Sequence, residues 1–426
     1  MSVPVAEQGY ASGTSWWSAI AEEETPEVAW PKSIGVFDRM RKDAQVISVS
    51  RAVTFPIRRT TWRVDRGAAR PEVAEYVADE LGLDVAGQAP RVPARTRDRF
   101  SWAEHLRLAL LMLPYGHSYF EQTYRPDLAT GQYHLRKLGW RPPKTIDRVE
   151  VAADGGLIGI HQAGMKQADL ITVDRLVAYV NDREGGNWLG QSLLRPAYAP
   201  WLIKSPAWRT WAMTVDRNGL GVPIYQGAPT PEGLEGEDEI QKWHAEEKAA
   251  GLALATQYRG GANAGAYVPN GASLALKGVD GKLPDSDPLV RYCDEQIARA
   301  VLANFLSLGG DNSTGSYALG DTFAEFFVQS LQTIAMQIAD VATQHIVEDL
   351  VDLNFGQDEP APRIVFDEIG ATHAIDGNTV QALVQAGVLS PDEPLEQHMR
   401  TIYRLPAADV ATRRVKPGPA PAQEAA

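Results

Sequence analysis

The sequence predicts a protein of the α+β class, in which helices and short strands occupy separate stretches of the chain. Between Asp285 and Gly356, apolar residues recur every three or four positions on both sides of a loop rich in Gly and Ser, which predicts two helices. Between Tyr115 and Tyr179, short apolar runs alternate with Gly, Pro and Asp, which predicts a block of strands. A third stretch, 220–284, combines short strands with an acidic helix.

Composition limits the class of protein. The chain has 426 residues, enough for two or three domains. Its net charge of −13 argues against a general nucleic-acid-binding protein, because such a protein needs a basic surface to displace counterions from phosphates. The one cysteine, Cys293, lies on an apolar helical stripe and is expected in the core; alone it can form neither an intrachain disulfide nor a cysteine zinc site.

Targeting signals are not found in the sequence. Residues 1–30 lack the basic and apolar regions of a signal peptide. The longest apolar run in the following helices, Leu108–Leu113, is too short to span a bilayer. The sequence therefore predicts a protein that is cytosolic when synthesised and has no contact with a membrane.

The N-terminal part is predicted to be mostly helical. Residues 1–30 are expected to form a poorly ordered arm, which Trp16 and Trp17 could anchor to a neighbouring surface. The elements expected next are a helix over Val36–Arg41, a helix over Ala44–Phe55 that Pro56 ends, a strand over Thr60–Val64, a helix over Pro71–Leu81, and a helix that Ser101 caps and Pro114 ends.

The β-rich block is predicted to contain five short strands. They are Tyr115–Tyr124, Tyr133–Leu138, Thr145–Val151, Leu157–Gln162 and Arg175–Tyr179. The sequence Asp154-Gly155-Gly156 between the third and fourth strands predicts a hairpin turn.

The next stretch, Leu189–Gly219, is predicted to be a tryptophan-rich helix. Pro200 and Pro206 lie inside it and are expected to kink or delay the helix. The small α/β stretch that follows is expected to contain a strand over Val222–Gln226, an acidic helix over Glu235–Gly251, and short strands over Ala266–Pro269 and Ser273–Leu276.

The helix–loop–helix between Asp285 and Gly356 organises the rest of the chain. Its first helix is expected to begin at Pro288 after an Asp287 cap, with an apolar stripe at Val290, Cys293, Ile297, Val301 and Phe305. The loop is expected over Gly309–Gly320. The second helix, 321–354, would be roughly 50 Å long at about 1.5 Å per residue. Its predicted buried face comprises Phe323, Phe327, Leu331, Ile334, Ile338 and Val341. Periodicity alone also fits two core helices joined by a flexible connector.

The C-terminal part is predicted to contain one strand and two helices. These are the strand Arg363–Phe366 and a helical hairpin over Thr379–Ala386 and Pro394–Tyr403. Residues 416–426 are rich in Pro and Ala and are expected to be disordered.

Catalytic motifs are not found in the sequence. It contains neither a P-loop, nor a G-x-S-x-G elbow, nor an H-E-x-x-H helix, and its eight His are scattered. Two alternatives remain open. One is an enzyme with an acid/base site near Tyr119, Glu121, His134 and Asp147; the other is a non-enzymatic adaptor whose acidic helix 235–251 binds a basic partner. The favoured interpretation is a protein that is not an enzyme and uses no metal or other cofactor.

Four segments together carry a family resemblance. They are Asp43–Trp62, with Asp-Ala-Gln-Val and a later Pro-Ile…Trp; Gly116–Leu138, with Gly-His-Ser-Tyr-Phe-Glu and Leu-Arg-Lys-Leu; Gly190–Pro223, with Gly-Gln-Ser-Leu-Leu-Arg-Pro-Ala-Tyr and Arg-Asn-Gly-Leu-Gly-Val-Pro; and Gly315-Ser-Tyr-Ala-Leu leading to Asp352-Leu-Asn-Phe-Gly. In this order, the segments resemble the portal proteins of tailed bacteriophages, specifically the Mu-like branch.

The resemblance implies a portal fold with named parts. They are an N-terminal arm (1–30), the first part of an α+β wing (31–190), two stem helices (191–219 and 285–308) with a small α/β clip between them (220–284), a tunnel loop (309–320), the rest of the wing with its long spine helix (321–371), a short helical crown (372–410) and a disordered tail (411–426).

The resemblance also implies a function and site residues. A ring, typically of twelve copies, would sit at one capsid vertex of the virion after assembly in the host cytoplasm, and double-stranded DNA would be packaged and ejected through it. The other partners would be the large terminase, the head–tail adaptor and the major capsid protein.

The expected site residues fall in three groups. The DNA-facing loop residues are Gly310, Asp311, Asn312, Ser313, Thr314, Gly315 and Ser316. The clip residues for partner docking are Glu235, Glu237, Asp238, Glu239 and Trp243. The residues for stem or subunit packing are Trp201, Trp208 and Trp211.

Overall fold

A computed structural model describes most of the chain. The described residues are 23–91, 100–164, 170–220, 222–234, 236–257, 267–277, 285–301, 316–370, 377–389, 392, 395–396 and 399–400. The predicted features that lie outside them are Trp16, Trp17, Glu235, Phe305, residues 309–315 and residues 401–426. The chain divides into two units, Met1–Ile369 and Gly370–Ala426, and each is described by itself.

Helices dominate the described N-terminal part. The elements are α1 (Lys32–Met40), α2 (Ala44–Arg59), β1 (Trp62–Asp65), α3 (Pro71–Leu81), β2 (Asp84–Val85), α4 (Trp102–Ala109) and α5 (Met112–Tyr115). The prediction that Pro56 ends α2 is wrong, since the helix continues to Arg59. Its buried stripe runs through the proline from Val46 to Ile57, so packing of that face outweighs the one backbone hydrogen bond that Pro56 cannot make.

The helix after Ser101 is shorter than predicted. It ends at Ala109, and Pro114 lies inside the separate one-turn helix α5. The Leu108 carbonyl accepts hydrogen bonds from Leu111 N (3.1 Å) and from the Ser118 hydroxyl (2.9 Å), which breaks the regular α-helical pattern there.

Residues 23–30 also differ from the expected loose arm. Arg195 Nη2 donates to Glu23 Oε1 at 2.8 Å, and Val28 is buried in the core. The hydrogen bond from Arg195 is the main cause that lowers the pKa of Glu23 to about 2, so this carboxylate stays charged at neutral pH. An ion pair distant in sequence thus holds the last part of the arm, which sequence pattern alone does not reveal.

The β-rich block forms two three-stranded sheets. Its strands are β3 (His117–Pro126), β4 (Tyr133–Arg141), β5 (Ile146–Val151), β6 (Leu157–Gln162), β7 (Ile171–Thr172) and β8 (Leu176–Val180). Their orders are β4-β3-β8 and β5-β6-β7, with antiparallel pairing throughout. The predicted turn at Asp154-Gly155-Gly156 joins β5 to β6. Along β3, Phe120 joins the large core with the helices, while Tyr119 joins the smaller core between the two sheets.

The middle of the chain forms a helical hairpin with a small sheet at its end. The elements are α6 (Tyr198–Leu220), β9 (Val222–Gln226), α7 (Glu237–Gln257), β10 (Ser273–Lys277) and α8 (Asp287–Ala300). The prediction of a helix from residue 189 or 191 is wrong, because the chain up to Ala197 forms turns. The Ser192 hydroxyl donates to Pro114 O at 2.7 Å and accepts from Leu194 N at 3.0 Å, which holds this stretch against α5.

Three further boundaries in this region differ from the prediction. Helix α7 extends beyond Gly251 to Gln257. Residues 267–269 are irregular, so the described part of the strand expected over Ala266–Pro269 is not formed. Ser286, rather than Asp287, occupies the N-cap position of α8, and Asp285 Oδ1 accepts from Asp287 N at 3.0 Å. The carboxylate that satisfies the helix start therefore comes from two residues earlier.

A long helix runs through the main core. It comprises α9 (Ser316–Ala342), a π-helical turn (Thr343–Val347) and α10 (Glu348–Phe355), and β11 (Arg363–Phe366) follows. The prediction that the loop continues to Gly320 is wrong, since residues 316–320 are already helical. The predicted end near Asn354 is confirmed. At the π turn, the Thr343 hydroxyl accepts from Ile364 N at 3.0 Å, which ties the helix to β11.

The strand β11 completes a third sheet. The order is β11-β1-β2, in which β1 pairs antiparallel with β11 and parallel with β2. The second unit contains α11 (Gly377–Gln385), close to the helix predicted over Thr379–Ala386. Across the described residues, every helix is too short or too polar to cross a membrane.

A close approach of two backbone segments allows a substitution test of the fold. Gly190 has φ of 64°, and a Cβ there would lie 2.3 Å from Gly116 O and 2.6 Å from Asn181 O. Gly82 has φ of 66°, but a Cβ there would meet nothing within 4 Å. We expect Gly82→Ala to cost about 1 kcal/mol of unfolding free energy and Gly190→Ala about 3 kcal/mol or more, measured by urea denaturation. Equal losses would show that the backbone contact does not constrain the fold.

Candidate functional site

Helices α6 and α8 pack against each other and present apolar side chains outwards. On α6, the exposed fractions are 52% for Leu202, 51% for Ile203, 50% for Trp208 and 52% for Met213. On α8, Leu289 and Tyr292 are also exposed. Six exposed large apolar side chains of the described residues thus lie on one hairpin, and such a group is typical of a surface that another protein covers.

The buried side of α6 carries a lysine. Among the α6 side chains that the structure describes, Lys204 is the buried one, with 6% of its surface exposed. Its ammonium lies 3.0 Å from each oxygen of Asp43 and 2.6 Å from Asp294 Oδ1 on α8. The contact with Asp294 is an ion pair without hydrogen-bond geometry at that oxygen. We name Lys204, Asp43 and Asp294 the junction triad.

The junction triad joins three helices. Asp43 also begins α2, because its Oδ1 accepts from Gln45 N at 2.9 Å and from Val46 N at 3.2 Å. Burial lowers the pKa of the Lys204 ammonium, but its contacts with the carboxylates of Asp294 and Asp43 outweigh this effect and raise the pKa. The cation is therefore permanent at neutral pH and fixes the base of the hairpin to the main core.

The sequence alone does not reveal the junction triad. Asp43 lies in the first of the four segments that carry the family resemblance, but its partners lie far away in sequence. A usable signal was present in α6: Lys204 lies between Trp201 and Trp208 on the side of the helix that would otherwise be apolar. A lysine at such a position indicates either a paired buried charge or an error in the assumed helix face.

The predicted packing tryptophans have different surroundings. Trp201 packs against the main core and lies 6.3 Å from the Tyr198 ring. Trp208 and Trp211 contact each other edge to face at 5.8 Å. Trp208 remains half exposed, so the structure leaves room for a contact from outside the chain.

The small sheet at the end of the hairpin is covered on one side by α7. The Tyr225 ring lies against Gly251, and its hydroxyl donates to Glu247 Oε1 at 2.7 Å. The same oxygen accepts from Ala228 N at 3.0 Å; this backbone bond is the first cause, and the Tyr225 bond the second, of the lowered pKa of Glu247. Within the described residues the sheet has two strands, so each has an outer edge without a partner strand.

The predicted docking residues of α7 lie together. Glu237, Asp238 and Glu239 form its exposed first turn, where carboxylates are favoured by the helix dipole. Trp243, one turn further, is partly buried and contacts the His244 ring at 5.0 Å. Of the predicted loop residues, Ser316 is the first residue of α9, and residues 310–315 lie outside the described part of the chain.

The four residues of the acid/base alternative have separate structural partners. The Tyr119 hydroxyl donates to Trp188 O at 2.5 Å, and burial raises its pKa. Glu121 forms ion pairs with Arg141 of β4 and with Arg175, which directly precedes β8. His134 Nδ1 lies 2.8 Å from Glu80. Asp147 is exposed on β5. The structure therefore gives no support to a common acid/base site formed by these residues.

A family model described as "Portal protein of Mu bacteriophage" matches residues 34–405. The chain belongs to this family. The resemblance inferred from the four sequence segments is confirmed, and with it a capsid portal role. The portal family is structural rather than enzymatic.

Solved structures support the portal fold. A chain in the neck of a native GTA particle computed with C12 symmetry is 13% identical, with a TM-score of 0.54 over 92% of this chain and 99% of that chain. A chain in the neck of an empty GTA particle computed with C6 symmetry is 16% identical, with a TM-score of 0.55 over 89% and 95%. A chain in the virion of the native gene transfer agent is 14% identical, with a TM-score of 0.54 over 92% and 98%. At these identities the likeness shows the fold, which confirms the predicted α+β portal class.

The junction triad can be tested by removing its cation. Lys204→Met leaves two carboxylates partly buried without a counter-charge, so we expect a loss of about 3–5 kcal/mol of unfolding free energy, measured by urea denaturation. Lys204→Arg keeps the charge and should lose less. As a control, Arg299→Met removes the surface pair with Glu295 at 3.9 Å and should cost less than about 1 kcal/mol. Equal effects at Lys204 and Arg299 would mean that the triad does not hold the hairpin.

Proposed function

We propose that twelve copies of this portal chain form a ring around a channel at one vertex of a phage capsid, and that double-stranded DNA is packaged and ejected through the channel. The observation that carries the proposal is the outward apolar surface of α6 and α8 in a chain of the portal family. In a cyclic ring, each copy contacts one neighbour through one patch and the other neighbour through a different patch. The apolar surface of α6 and α8 would therefore be covered by the neighbouring copies on both sides. The number twelve is supported by the C12 symmetry of the GTA neck with a similar chain.

We assign the parts of the ring as follows. Residues 31–190 and 321–371 form the wing, α6 and α8 the stem, residues 220–284 the clip, residues 309–315 with the start of α9 the tunnel loop, and residues 372–410 the crown. The junction triad joins the stem to the wing. Residues 1–30 form the arm, which the Glu23–Arg195 pair attaches to the turn stretch before α6, and residues 411–426 form the tail.

The clip is the docking site for protein partners. Its exposed first turn of α7 carries three carboxylates, and the outer edges of β9 and β10 can accept a further strand. These features suit a basic or strand-forming surface on the large terminase and later on the head–tail adaptor. The wing contacts the major capsid protein. The ring assembles in the host cytoplasm and remains in the virion.

Electrostatics favours passage of DNA over tight binding. The chain has 54 acidic and 41 basic residues, so a ring of copies repels the phosphates of a duplex in its channel. The predicted loop residues from Gly310 to Ser316 include Asp311 but neither Lys nor Arg. They would contact DNA loosely through polar side chains such as Asn312, Ser313 and Thr314, and would form a flexible seal around the duplex.

The central experiment is electron microscopy of the purified chain. Negative-stain images should show rings with a central hole, alone or after co-expression with the capsid proteins. Class averages with symmetry other than twelvefold would correct the copy number only. A chain that stays monomeric or dimeric with its capsid partners would contradict the ring.

The exposed stem tryptophan gives a mutational test. Trp208→Ala should weaken ring assembly by about 1–2 kcal/mol, because the ring buries the exposed half of an indole that is 50% exposed in the single chain. Subunit folding should change little. The matched control is Phe55→Ala on α2, at 52% exposure, which should leave assembly unchanged. Sedimentation across a concentration series measures the assembly of both variants. If Trp208→Ala assembles normally but no longer retains DNA, the role of Trp208 is DNA contact and not packing between copies.

The tunnel-loop proposal is tested by charge reversal. Asp311→Lys adds a cation where the proposal has the loop facing phosphates, so DNA movement should slow or stop, most strongly at low salt, where screening is weakest. Asp358→Lys makes the same charge change at an exposed site of the wing and serves as the control. DNA packaging at two salt concentrations is the measurement. Equal packaging by both variants at low salt would remove the electrostatic role of the loop.

A further inference from the structure

A basic cleft lies beside the junction triad. Its volume is about 530 Å³, and it is lined by Gly35, Asp38, Arg39, Arg41, Lys42, Ile47 and Lys144. Three of its residues lie on α1, at positions 35, 38 and 39, which is the spacing of one helix face, and Lys42 lies in the turn that follows the helix. A Cβ at Gly35 would meet nothing within 4 Å, so the floor of the cleft is open. In a chain of net charge −13, four cations around one opening require an explanation.

Two of the cations are already partly neutralised. Asp38 forms ion pairs with Lys144 and, at 3.9 Å, with Arg41, and it accepts a hydrogen bond from Tyr115. Burial raises the pKa of Asp38, but Lys144 and Tyr115 outweigh this effect and lower it, so the carboxylate remains charged. Arg39 and Lys42 are exposed and have no ion pair within the described residues. They leave uncompensated positive charge at the mouth of the cleft.

The cleft suits carboxylates better than phosphates. Tight phosphate sites commonly use free N–H groups at a helix start. The nearest helix start is that of α2, where the Asp43 carboxylate already accepts from Gln45 N and Val46 N. The Asp38 carboxylate inside the cleft would further repel a dianion. What remains is exposed Arg and Lys side chains, which pair readily with single carboxylates on a protein surface.

The long helix offers a matching surface on the same body of the chain. Asp340, Glu348 and Asp352 are exposed on it at multiples of four residues and have no ion pair within the described residues. Rotation about a ring axis keeps every patch at its own height, so a wing patch meets the wing of the next copy. The carboxylates at the start of α7 are too far away to be the partner of the cleft, because the 23 residues of α6 separate them from the wing. At about 1.5 Å per residue this is roughly 35 Å.

We propose that the basic cleft of one copy receives the carboxylate row Asp340, Glu348 and Asp352 of the neighbouring copy. The contact rests on the ring proposed above and adds a polar interface in the wing to the apolar interface of the stem. Because the cleft borders the junction triad, it would set the angle between neighbouring wings close to the point where each stem begins. Charge complementarity of this kind fixes which patches meet and speeds association.

Charge reversal and rescue test the contact. Arg39→Glu with Lys42→Glu should reduce the ring fraction roughly tenfold at low salt, because like charges then face each other. Adding Asp340→Lys and Glu348→Lys to the same chain should restore it. The matched control, Arg136→Glu with Lys137→Glu, changes the charge equally at exposed positions of β4 and should assemble normally. Sedimentation measures the ring fraction, and circular dichroism checks the fold of each variant.

Cross-linking keeps the test decisive if a reversed variant fails to fold. Chains with Arg39→Cys and chains with Asp352→Cys are mixed before assembly; a cross-linked pair then reports contact between copies. The native Cys293 is 2% exposed and should stay unreactive. Lys137→Cys replaces Arg39→Cys in the control mixture.

The outcomes separate the two proposals. Rings of the native chain without the specific cross-link, or normal assembly of the reversed variant at low salt, would overturn the contact and leave the ring intact. Normal assembly with reduced DNA retention would also overturn it and assign the cleft to DNA phosphates. A native chain that forms no rings with its capsid partners would contradict the ring itself.

Discussion

The orientation of the α6–α8 hairpin depends on one buried cation. Lys204 places its ammonium between the start of α2 and the middle of α8, and it comes from the second turn of α6. A hydrophobic contact at this point would resist separation of the helices but would allow them to slide or rotate. An ion pair with two carboxylates fixes direction as well as distance, since a displacement leaves charge without a partner in a poorly solvated place. The junction triad thus supplies a specific geometry where three helices converge.

The rest of α6 follows from this placement. With a lysine on its inner side, the helix directs Leu202, Ile203 and Met213 outwards, the reverse of an ordinary surface helix. Covering the second half of one such side chain is worth about 1 kcal/mol. Six of them on α6 and α8 therefore contribute roughly 6 kcal/mol, which is comparable to the lower estimates of the entropy lost on association, about 4–15 kcal/mol. Apolar stem contacts alone would make a single interface marginal, so wing contacts and ring closure matter.

Local signals in the sequence were sufficient for most elements of the fold. Alternation and turn residues located β6 and β11 at their observed bounds, and a proline at the start with Gly82 at the end located α3. Three of the failures share one cause, which is that contacts from outside the predicted element decided the outcome. Ser118 alters the end of α4, Ser192 holds the chain before α6 against Pro114, and packing carries α2 through its proline.

The candidate site was less predictable than the fold for the same reason. The stem tryptophans and the acidic turn of α7 are visible as residue types in sequence. The junction triad is not, because it joins residues of three elements separated by more than 80 positions. The buried face of α6 is the one from which Lys204 reaches the carboxylates of Asp43 and Asp294. The periodicity of apolar residues does not contain that information. The sequence was enough to propose where the stem and clip segments lie along the chain, but the orientation of α6 and α8 required the structure.

The distribution of charge connects the fold to the proposed passage of DNA. Many basic side chains of the wing pair within the chain; Arg70, Arg107, Arg141 and Arg148 each contact a different glutamate. Since each pair removes one charge of either sign, the excess of acidic residues is left for the remaining surface. In the proposed ring, a channel formed by such chains would repel phosphates without needing a dedicated acidic motif. The same ion pairs that hold the wing together therefore reduce the number of free cations that could retain DNA, and the basic cleft is the local exception that a neighbouring copy can neutralise.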